Sequence, residues 1–487
     1  MRRILRLIVA AALAAALPRA AGASDGDLDT TFAGGSGVER VVYYGFGPRY
    51  TSNATSIAVQ NDGKIIVGFN LNGLANCYVE RVLADGSGLD TSISGTGIFS
   101  LPTYPFVGQP RMKLDADQNI VVGGQCPDNG QGGHACLWRV TAAGSGDVSF
   151  GNGGWVELPV QMSNGYVYSK VVDFDFGGDG SIYALVGAFY NQLPYANSIL
   201  GVLFKLDSGG NIVGASNGAA INAPSGTTMG NLRRIVFKDG KLTLGGTVAI
   251  ANSGAGYDIV VMRFDSNGST DNNFGSSGVA TFGFDIGGQN QDDLAAMLIQ
   301  PDGKILLGGT ATDGAQTPQV QMGLARMRAD GSGLDGGDPG FGAPSGKFTF
   351  TAYYDGNSGD RSQDTLTDLA LQSDLKIVVV GWSDKSNVPG ANPNADNLSS
   401  AVFRFDKYGV ADPDFSTGAL NLALGFMSDS TRVDHTGAVG LQGGRMILAG
   451  YAGAGVDAGD TDVVIARLQS DLILTNGFDL EPAPPPF

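Results

Sequence analysis

The stretch QPDGKILLGGT, from Gln300 to Thr310, contains the motif that decides the fold. A glycine-rich segment with a lysine can bind phosphate, but such a loop has the pattern G-x-x-x-x-G-K-[ST] between a strand and a helix. Here Lys304 leads into an apolar run typical of a strand. Asp302-Gly303 is a strong hairpin signal because glycine accepts a positive φ. The stretch therefore predicts two strands joined by a tight turn.

The same motif recurs along the chain. Its sister copies are VQNDGKIIVGF from Val59, LDADQNIVVGGQ from Leu114, FGGDGSIYALVGA from Phe176, FKDGKLTLGGT from Phe237, LQSDLKIVVVGW from Leu371 and LQGGRMILAGY from Leu441. Asn119 and Ser181 replace the lysine in two copies, which argues against a catalytic lysine. Seven copies at a period near 60 residues indicate a repeat architecture.

Two further motifs accompany each copy. The first is an apolar strand with one basic residue, at Arg81, Arg139, Lys205, Arg263, Arg326, Arg404 and Arg467. The second is an acid three residues before an aromatic or apolar residue, at Asp29–Phe32, Asp90–Ile93, Asp147–Phe150, Asp271–Phe274, Asp338–Phe341 and Asp412–Phe415. The gap between Phe150 and Phe274 indicates one decayed copy.

The repeated basic position has two interpretations. The favoured one is structural: an ion pair with the acid of the second motif, since arginine suits bidentate pairing with a carboxylate. The other is a ring of cations around a channel that binds an anionic ligand.

The repeats predict an all-β fold: a single seven-bladed β-propeller with about four antiparallel strands per blade. In the fifth repeat the strand candidates are Leu294–Gln300, Lys304–Gly309, Gly323–Arg328 and, earlier in the chain, Gly278–Phe282. The last repeat lacks a fourth strand, and Val38–Tyr44 is a spare strand at the start. Pairing of the two would close the ring and remove both exposed sheet edges.

The repeats resemble the delta-60 repeat, whose pattern is close to LD..FG..G, an apolar strand, Q.DGKI.V.G and..AR...DG. The first repeat supplies LDTTFAGGSG, IAVQNDGKIIVGF and YVERVLADGSGLD, and the fifth extends from DNNFGSSG to LARMRADGSG. The resemblance covers nearly all of the chain after residue 23, and the third and fourth repeats depart most. It implies a propeller-like fold in exported bacterial proteins, with no established activity and no catalytic residues.

Residues 1–23 predict a secretory signal peptide. Arg2, Arg3 and Arg6 precede an apolar run, Leu7–Leu17, and a small-residue site ends the segment at Ala23. The run is too short to span a bilayer, which needs ~20 residues. We predict a propeller over residues 24–472, a proline-rich tail over 473–487, and an exported protein that is secreted, periplasmic or on the cell surface.

The chain is acidic, with 47 acidic and 30 basic residues and a net charge of −17. Without the four arginines of residues 1–23, the balance is 26 basic against 47 acidic, or −21. This charge argues against nucleic acid as a partner, because phosphates require a basic surface. We expect a monomer with no membrane span and an unknown protein or glycan ligand.

Three cysteines are present, and two of them flank a predicted hairpin. Cys126 ends the second strand of its repeat and Cys136 begins the third, so the hairpin would bring them together. An exported chain reaches an oxidising compartment. We predict a Cys126–Cys136 disulfide and a free thiol at Cys77.

Catalytic signals are sparse, and we predict no catalytic, cofactor-binding or metal-binding residue. His134 and His435 stand alone, without zinc-ligand spacing. Acidic clusters at Asp292–Asp293, at Asp384 and at Asp457–Asp462 could bind Ca²⁺, but they lack EF-hand spacing, and solvation at the surface is the favoured interpretation.

Two functions are compatible with this sequence. The first is a non-enzymatic binding or surface scaffold, because no convergent catalytic set is evident. The alternative is an enzyme that degrades extracellular polysaccharide, a glycoside hydrolase or lyase with two acidic residues. Unit-specific loops or the central channel would form the site in either case.

Overall fold

The computed structural model describes residues 25–41, 52–71, 76–102, 110–126, 133–160, 167–190, 199–215, 218–250, 256–287, 291–312, 319–337, 339–352, 363–384, 398–415, 419–422, 434–453 and 461–470. The predicted signal peptide, the predicted tail and Asp338 lie outside these ranges. Regular structure within them is almost entirely β-strand, with short helical turns at Ala33–Gly35 and Gly342–Gly346. No helix in these ranges is long and apolar enough to cross a membrane.

Strand β1 spans Val38–Val41, and the strands after it form groups that we number as units 1 to 7 in chain order. Unit 1 contains β2 (Ser52–Val59), β3 (Ile65–Leu71), β4 (Asn76–Val82) and β5 (Ile98–Pro102). Unit 2 contains β6 (Arg111–Leu114), β7 (Ile120–Gln125), β8 (Ala135–Val140) and β9 (Trp155–Leu158). Unit 3 contains β10 (Val167–Phe176), β11 (Ile182–Tyr190), β12 (Ile199–Leu206) and β13 (Ala219–Ile221).

The remaining units follow the same plan. Unit 4 contains β14 (Thr227–Lys238), β15 (Lys241–Ile250), β16 (Tyr257–Asp265) and β17 (Val279–Phe282). Unit 5 contains β18 (Gln291–Ile299), β19 (Ile305–Thr312), β20 (Val320–Met327) and β21 (Lys347–Phe350). Unit 6 contains β22 (Gln363–Leu371), β23 (Ile377–Asp384), β24 (Leu398–Phe405) and β25 (Ala419–Leu422). Unit 7 contains β26 (Asp434–Gln442), β27 (Arg445–Gly453) and β28 (Thr461–Leu468).

Within each unit, successive strands pair antiparallel, which confirms the prediction of an all-β fold built from four-stranded sheets. Unit 7 takes its fourth strand from the start of the chain, since β1 pairs with β28 from Val38↔Ala466 to Val41↔Val463. One assignment was wrong. Val279–Phe282 pairs with β16 and belongs to unit 4, because the outermost strand follows the turn after the third strand.

The first strand of each unit contacts the first strand of the next, and β26 contacts β2. Apolar side chains fill the space between successive sheets. Between units 7 and 1, for example, Ile65 and Val67 share a buried cluster with Ile447 and Val463. The hydrophobic core therefore lies between the faces of neighbouring sheets.

The opening stretch forms the predicted hairpin. Gly303 has a φ of +82°, and the amide of Gln300 donates to the carbonyl of Lys304 at 2.8 Å. Gly308 and Gly309, which follow in the second strand of the hairpin, are required for a different reason. A Cβ on Gly309 would lie 2.2 Å from the carbonyl oxygen of Asp293, and one on Gly308 would lie 2.9 Å from Leu369 of the next unit. Glycine is thus required where the first strand bends toward the second.

That bend is a β-bulge near the middle of the first strand, and it recurs. The bulges lie at Ala54/Ser56, Val171/Asp173, Leu232/Arg234, Leu294/Ala296, Leu366/Asp368 and Thr436/Ala438. Bulges redirect side chains and are frequent beside functional sites. In this chain the bulges determine which side chains project into the space where the first strands meet.

Candidate functional site

Among the described residues, the basic residue of the third strand forms an ion pair with an acid in every unit except unit 3. The pairs are Arg81–Asp90 at 2.9 Å, Arg139–Asp147 at 2.6 Å, Arg263–Asp271 at 2.8 Å, Arg326–Asp335 at 2.8 Å, Arg404–Asp412 at 2.8 Å and Arg467–Asp29 at 2.7 Å. In unit 5 the partner is Asp335, where the sequence pattern suggested Asp338. Three extra residues separate Asp335 from Phe341, so the fixed spacing selected the wrong acid.

The lysine of the opening motif reaches the same acid. Lys304 lies 3.2 Å from Asp335, and the equivalent pairs are Lys64–Asp90 at 3.2 Å, Lys241–Asp271 at 3.2 Å, Lys376–Asp412 at 3.1 Å and Arg445–Asp29 at 3.1 Å. Each of these acids therefore contacts two cations. The lysine of the glycine-rich motif has an electrostatic role within its own sheet.

In unit 3, Ser181 replaces the lysine of the motif, and no described acid forms an ion pair with Lys205. The amide of Val213 donates to the carbonyl of Lys205 at 2.7 Å. In unit 2, the amide of Asp147 makes the equivalent bond to the carbonyl of Arg139 at 3.0 Å. Val213 thus occupies the position of the missing acid. Without a carboxylate at that position, the ammonium of Lys205 lies 5.3 Å from the centre of the Tyr183 ring.

The third-strand arginines also link one unit to the next. The guanidinium of Arg139 lies 4.6 Å from the ring centre of Phe150, and its Nη1 donates to the carbonyl of Ser208 in unit 3 at 2.5 Å. Burial would raise the pKa of Asp90, but hydrogen bonds from Ser92 and the neighbouring cations lower it to about 2. These contacts favour the structural interpretation, because the basic residues lie on third strands, away from the space between first strands.

Cys126 and Cys136 form a disulfide in the structure, with Cα atoms 5.5 Å apart, immediately after β7 and at the start of β8. Cys77 is a buried thiol on β4, and burial raises its pKa.

The acidic clusters named from the sequence have separate environments. Asp292 is only 3% exposed and accepts a bond from the amide of Phe284 at 2.7 Å, so the surface interpretation is wrong for it. Asp293 pairs with Arg233 at 2.6 Å, and Asp462 is buried beside Arg40. Residues 457–460 lie outside the described ranges. Within those ranges, no group of three or more His, Cys, Asp or Glu is arranged to hold a metal ion.

A cavity of about 340 Å³ lies where the first strands meet. Five residues in its wall are the extra residues of bulges: Thr55, Arg233, Ala295, Thr367 and Gly437. The others are Arg111, Arg234, Asp293, Leu294, Thr310, Thr365, Leu366, Trp382 and His435. The bulges therefore build a common wall from several units.

One side of the cavity is aromatic. The His435 ring stacks on Tyr451 at 4.7 Å between centres and lies 5.4 Å from the Trp382 ring. Burial lowers the pKa of His435 to about 4, so this side chain is uncharged at neutral pH. The indole of Trp382 adds an uncharged aromatic group to the cavity wall.

The cavity wall also contains three arginines, and a register relationship explains the position of two of them. In the strand register, Arg111 lies opposite Gly123 and Arg234 lies opposite Gly245. Asp173 and Asp368 occupy the equivalent position in units 3 and 6. The same position is Ser56, Ala296 and Ala438 in units 1, 5 and 7. Sequence reasoning missed these residues because a position that varies between repeats produces no motif; the bulge register was the signal that could have found them.

Residues 238–274 and 300–333 match the model of a family described as a domain of unknown function (DUF5122) β-propeller. The two matched segments contain the second and third strands of unit 4 and of unit 5. No curated protein matches the chain in sequence.

Several solved structures are similar to this chain. A protein of unknown function from Dyadobacter fermentans DSM 18053 has 11% identity and a TM-score of 0.43, covering 89% of this chain and 100% of its own. An α-L-arabinanase from Penicillium chrysogenum has 12% identity and a TM-score of 0.43, covering 86% and 98%. Polysaccharide lyase Uly1 has 11% identity and a TM-score of 0.43, covering 89% and 92%. Likeness at this level does not transfer an activity.

Proposed function

We propose that this protein is an exported seven-bladed β-propeller of delta-60-like repeats that binds a saccharide in its central cavity. Closure of the ring is supported by the pairing of β1 with β28 and by the contact of β26 with β2. The Arg467–Asp29 ion pair and the apolar cluster between units 7 and 1 support it as well. Units 1 to 7 would then be the blades.

The observation behind the binding function is the composition of the cavity wall. Its volume of about 340 Å³ falls within the range of small-ligand sites, ~300–1,000 Å³. Threonine hydroxyls, arginines and Asp293 offer donors and acceptors from several units, and Trp382 offers an aromatic face. A sugar presents hydroxyl groups around its edge and C–H groups on its faces, which this combination matches.

A binding screen tests the proposal. The purified protein is applied to an array of neutral and acidic oligosaccharides, and hits are measured by calorimetry. We expect Trp382→Ala to weaken binding about tenfold or more, as for loss of a buried aromatic anchor, and Trp382→Phe to retain most of it. Tyr408→Ala, an exposed aromatic outside the cavity, is the control and should bind normally. Failure of the parent protein to bind any saccharide would refute the proposal.

A second candidate is cleavage of the bound polysaccharide, and one observation favours it. Burial raises the pKa of Asp292 and of Asp368 to about 6, which meets one requirement of a general acid, although neither side chain is among those that line the cavity. Asp293 in the cavity wall would be the second carboxylate. The buried Asp292 and the partly buried Asp368 also accept backbone bonds, from Phe284 and Val439, which gives them a structural role.

Product analysis distinguishes cleavage from binding. Polysaccharides that bind are incubated with the protein, and new reducing ends and unsaturated products are measured. Activity that Asp293→Asn or Asp368→Asn abolishes, with binding retained, would establish the enzyme. Binding without products would leave the scaffold function.

A further inference from the structure

The cavity contains a buried arginine without a carboxylate partner. Arg234 is 7% exposed, and Nη1 donates to the carbonyl of Arg233 at 3.1 Å. No described acid lies within ion-pair distance of it. The other buried arginines, Arg81, Arg326, Arg404 and Arg467, each pair with an aspartate. Burial of a guanidinium costs free energy unless an anion compensates its charge. Arg234 lacks the carboxylate that each of the other four buried arginines has.

Arg111 lies in the same wall, partly buried, and also has no ion pair with any described acid. Arg233 is the exception among the three, since Asp293 neutralises it. The positive charges are close enough to act on Lys170: burial and the repulsion of Arg233 and Arg111 lower its pKa. The cavity therefore has excess positive charge within a chain of net charge −17.

The acids at the same register form no ion pair with Arg234, although Arg111 is close enough to Asp368 to oppose the rise that burial causes in the pKa of that carboxyl. Oδ2 of Asp173 accepts from the amide of Ile235 at 3.1 Å, and Oδ2 of Asp368 accepts from the amide of Val439 at 3.1 Å. Ser56 occupies the same position in unit 1 and bonds the backbone of Met112 in the same way. These side chains link neighbouring first strands, whereas an arginine at this position cannot accept such a bond.

We propose that the saccharide is acidic, and that the guanidinium groups of Arg111 and Arg234 bind the carboxylate of a uronic acid residue. The inference rests on the saccharide-binding function above. The planar guanidinium matches a carboxylate in bidentate geometry. The carboxylate would supply the anion that Arg234 lacks, and Trp382 in the same cavity wall would contact the sugar ring.

Matched ligands test the inference. Uronic acid oligosaccharides of several types are compared with their carboxyl-reduced forms, which carry a neutral hydroxymethyl group in place of each carboxylate, and with sulfated oligosaccharides of equal length. We expect the carboxylated form to bind at least about tenfold more tightly than its reduced form, as for loss of a charged hydrogen bond. Its affinity should also fall as salt rises, because salt screens the attraction.

Protein variants complete the test. Arg234→Gln and Arg111→Gln should each weaken binding of the carboxylated ligand about tenfold or more and leave the reduced ligand unaffected. Arg328→Gln removes an exposed arginine outside the cavity and should change neither. If the Arg234→Gln protein fails to fold, Arg111→Gln still tests the inference, because the Arg111 side chain is only partly buried.

The outcomes separate the two proposals. Equal binding of acidic and reduced saccharides would overturn this inference and leave the saccharide-binding function intact. Preference for the sulfated ligand over the carboxylated one would overturn the assignment of the carboxylate. Absence of binding to any saccharide would overturn both proposals.

Discussion

Arg467 and Asp29 lie 438 residues apart in sequence, yet Nε of Arg467 donates to Oδ2 of Asp29 at 2.7 Å. Asp29 is fully buried and also lies 3.1 Å from Arg445. The same arrangement of one acid and two cations occurs locally in units 1, 4, 5 and 6. The start of the chain therefore completes the last unit with the contacts that other units make within themselves.

Substitution of Asp29 tests how far folding depends on this link. Asp29→Asn leaves the buried Arg467 and the partly buried Arg445 without their carboxylate, and removal of one partner of a buried pair costs about 3 kcal/mol or more. We expect a clear drop in melting temperature, measured by calorimetry. Asp302→Asn, at an exposed turn, is the control and should change little. Deletion of residues 25–41 should be worse than either, and an unchanged melting temperature would refute closure through this segment.

Gly309 gives a second test, because its neighbour is a backbone atom that cannot move independently. A Cβ there would lie 2.2 Å from the carbonyl oxygen of Asp293, so Gly309→Ala must displace the bulge in β18. Overpacking of this kind costs about 1–3 kcal/mol. Gly124 is the equivalent residue of unit 2, and a Cβ there would meet only the Trp138 ring at 3.5 Å.

The matched pair is measured by urea denaturation. Gly309→Ala should lower the midpoint, and Gly124→Ala should leave it nearly unchanged or raise it slightly. Equal effects of the two substitutions would show that the bulge does not require glycine at this position. If Gly309→Ala also alters saccharide affinity, the bulge connects stability with the cavity wall.

The sequence predicted the repeated parts of the fold and missed the parts that differ between repeats. The hairpin at Asp302-Gly303 and the strands around it follow from turn chemistry and alternation, which act locally. The true partner of Arg326 was missed because an insertion before Phe341 broke the spacing. Arg111 and Arg234 were missed for a deeper reason: they become neighbours only when separate units assemble, and neither belongs to a motif.

Acid should destabilise the protein in a defined pH range. The pKa of Asp90 is about 2 in the folded protein, compared with ~3.9 for an unfolded aspartate. The pKa values of Asp147, Asp271 and Asp412 are also lowered. The unfolded state binds protons first as pH falls, so the stability from Asp90 is complete above pH ~4 and is lost toward pH ~2, and the other three groups act in the same direction.

Melting temperatures recorded from pH 7 to pH 2 check this expectation. The parent protein should lose stability steeply below pH ~4, and Asp90→Asn should show a smaller loss over that range because one shifted group is gone. The variant is less stable at pH 7, so the slopes are compared rather than the absolute values. Parallel curves would contradict the assigned role of Asp90.

Unit 3 allows the ion pair to be rebuilt. Val213 is 47% exposed and occupies the position of the acid, while Lys205 occupies that of the arginine. Val213→Asp and Lys205→Arg are made singly and together, and the free energy of unfolding is measured for each. We expect a favourable coupling of about 1 kcal/mol between the two substitutions. Zero coupling would mean that the surroundings of unit 3 no longer support the pair.

The bond between Cys126 and Cys136 closes a short loop, with ten residues of sequence separation. A loop of this length stabilises the folded state by about 3 kcal/mol in the chain-entropy model. The variant Cys126→Ser/Cys136→Ser should therefore unfold at a lower denaturant concentration, whereas Cys77→Ala should lose only what a small buried side chain contributes. Peptide mapping after alkylation without reductant, in denaturant, should modify Cys77 alone. Alkylated Cys126 in that map would show that the bond does not form in solution.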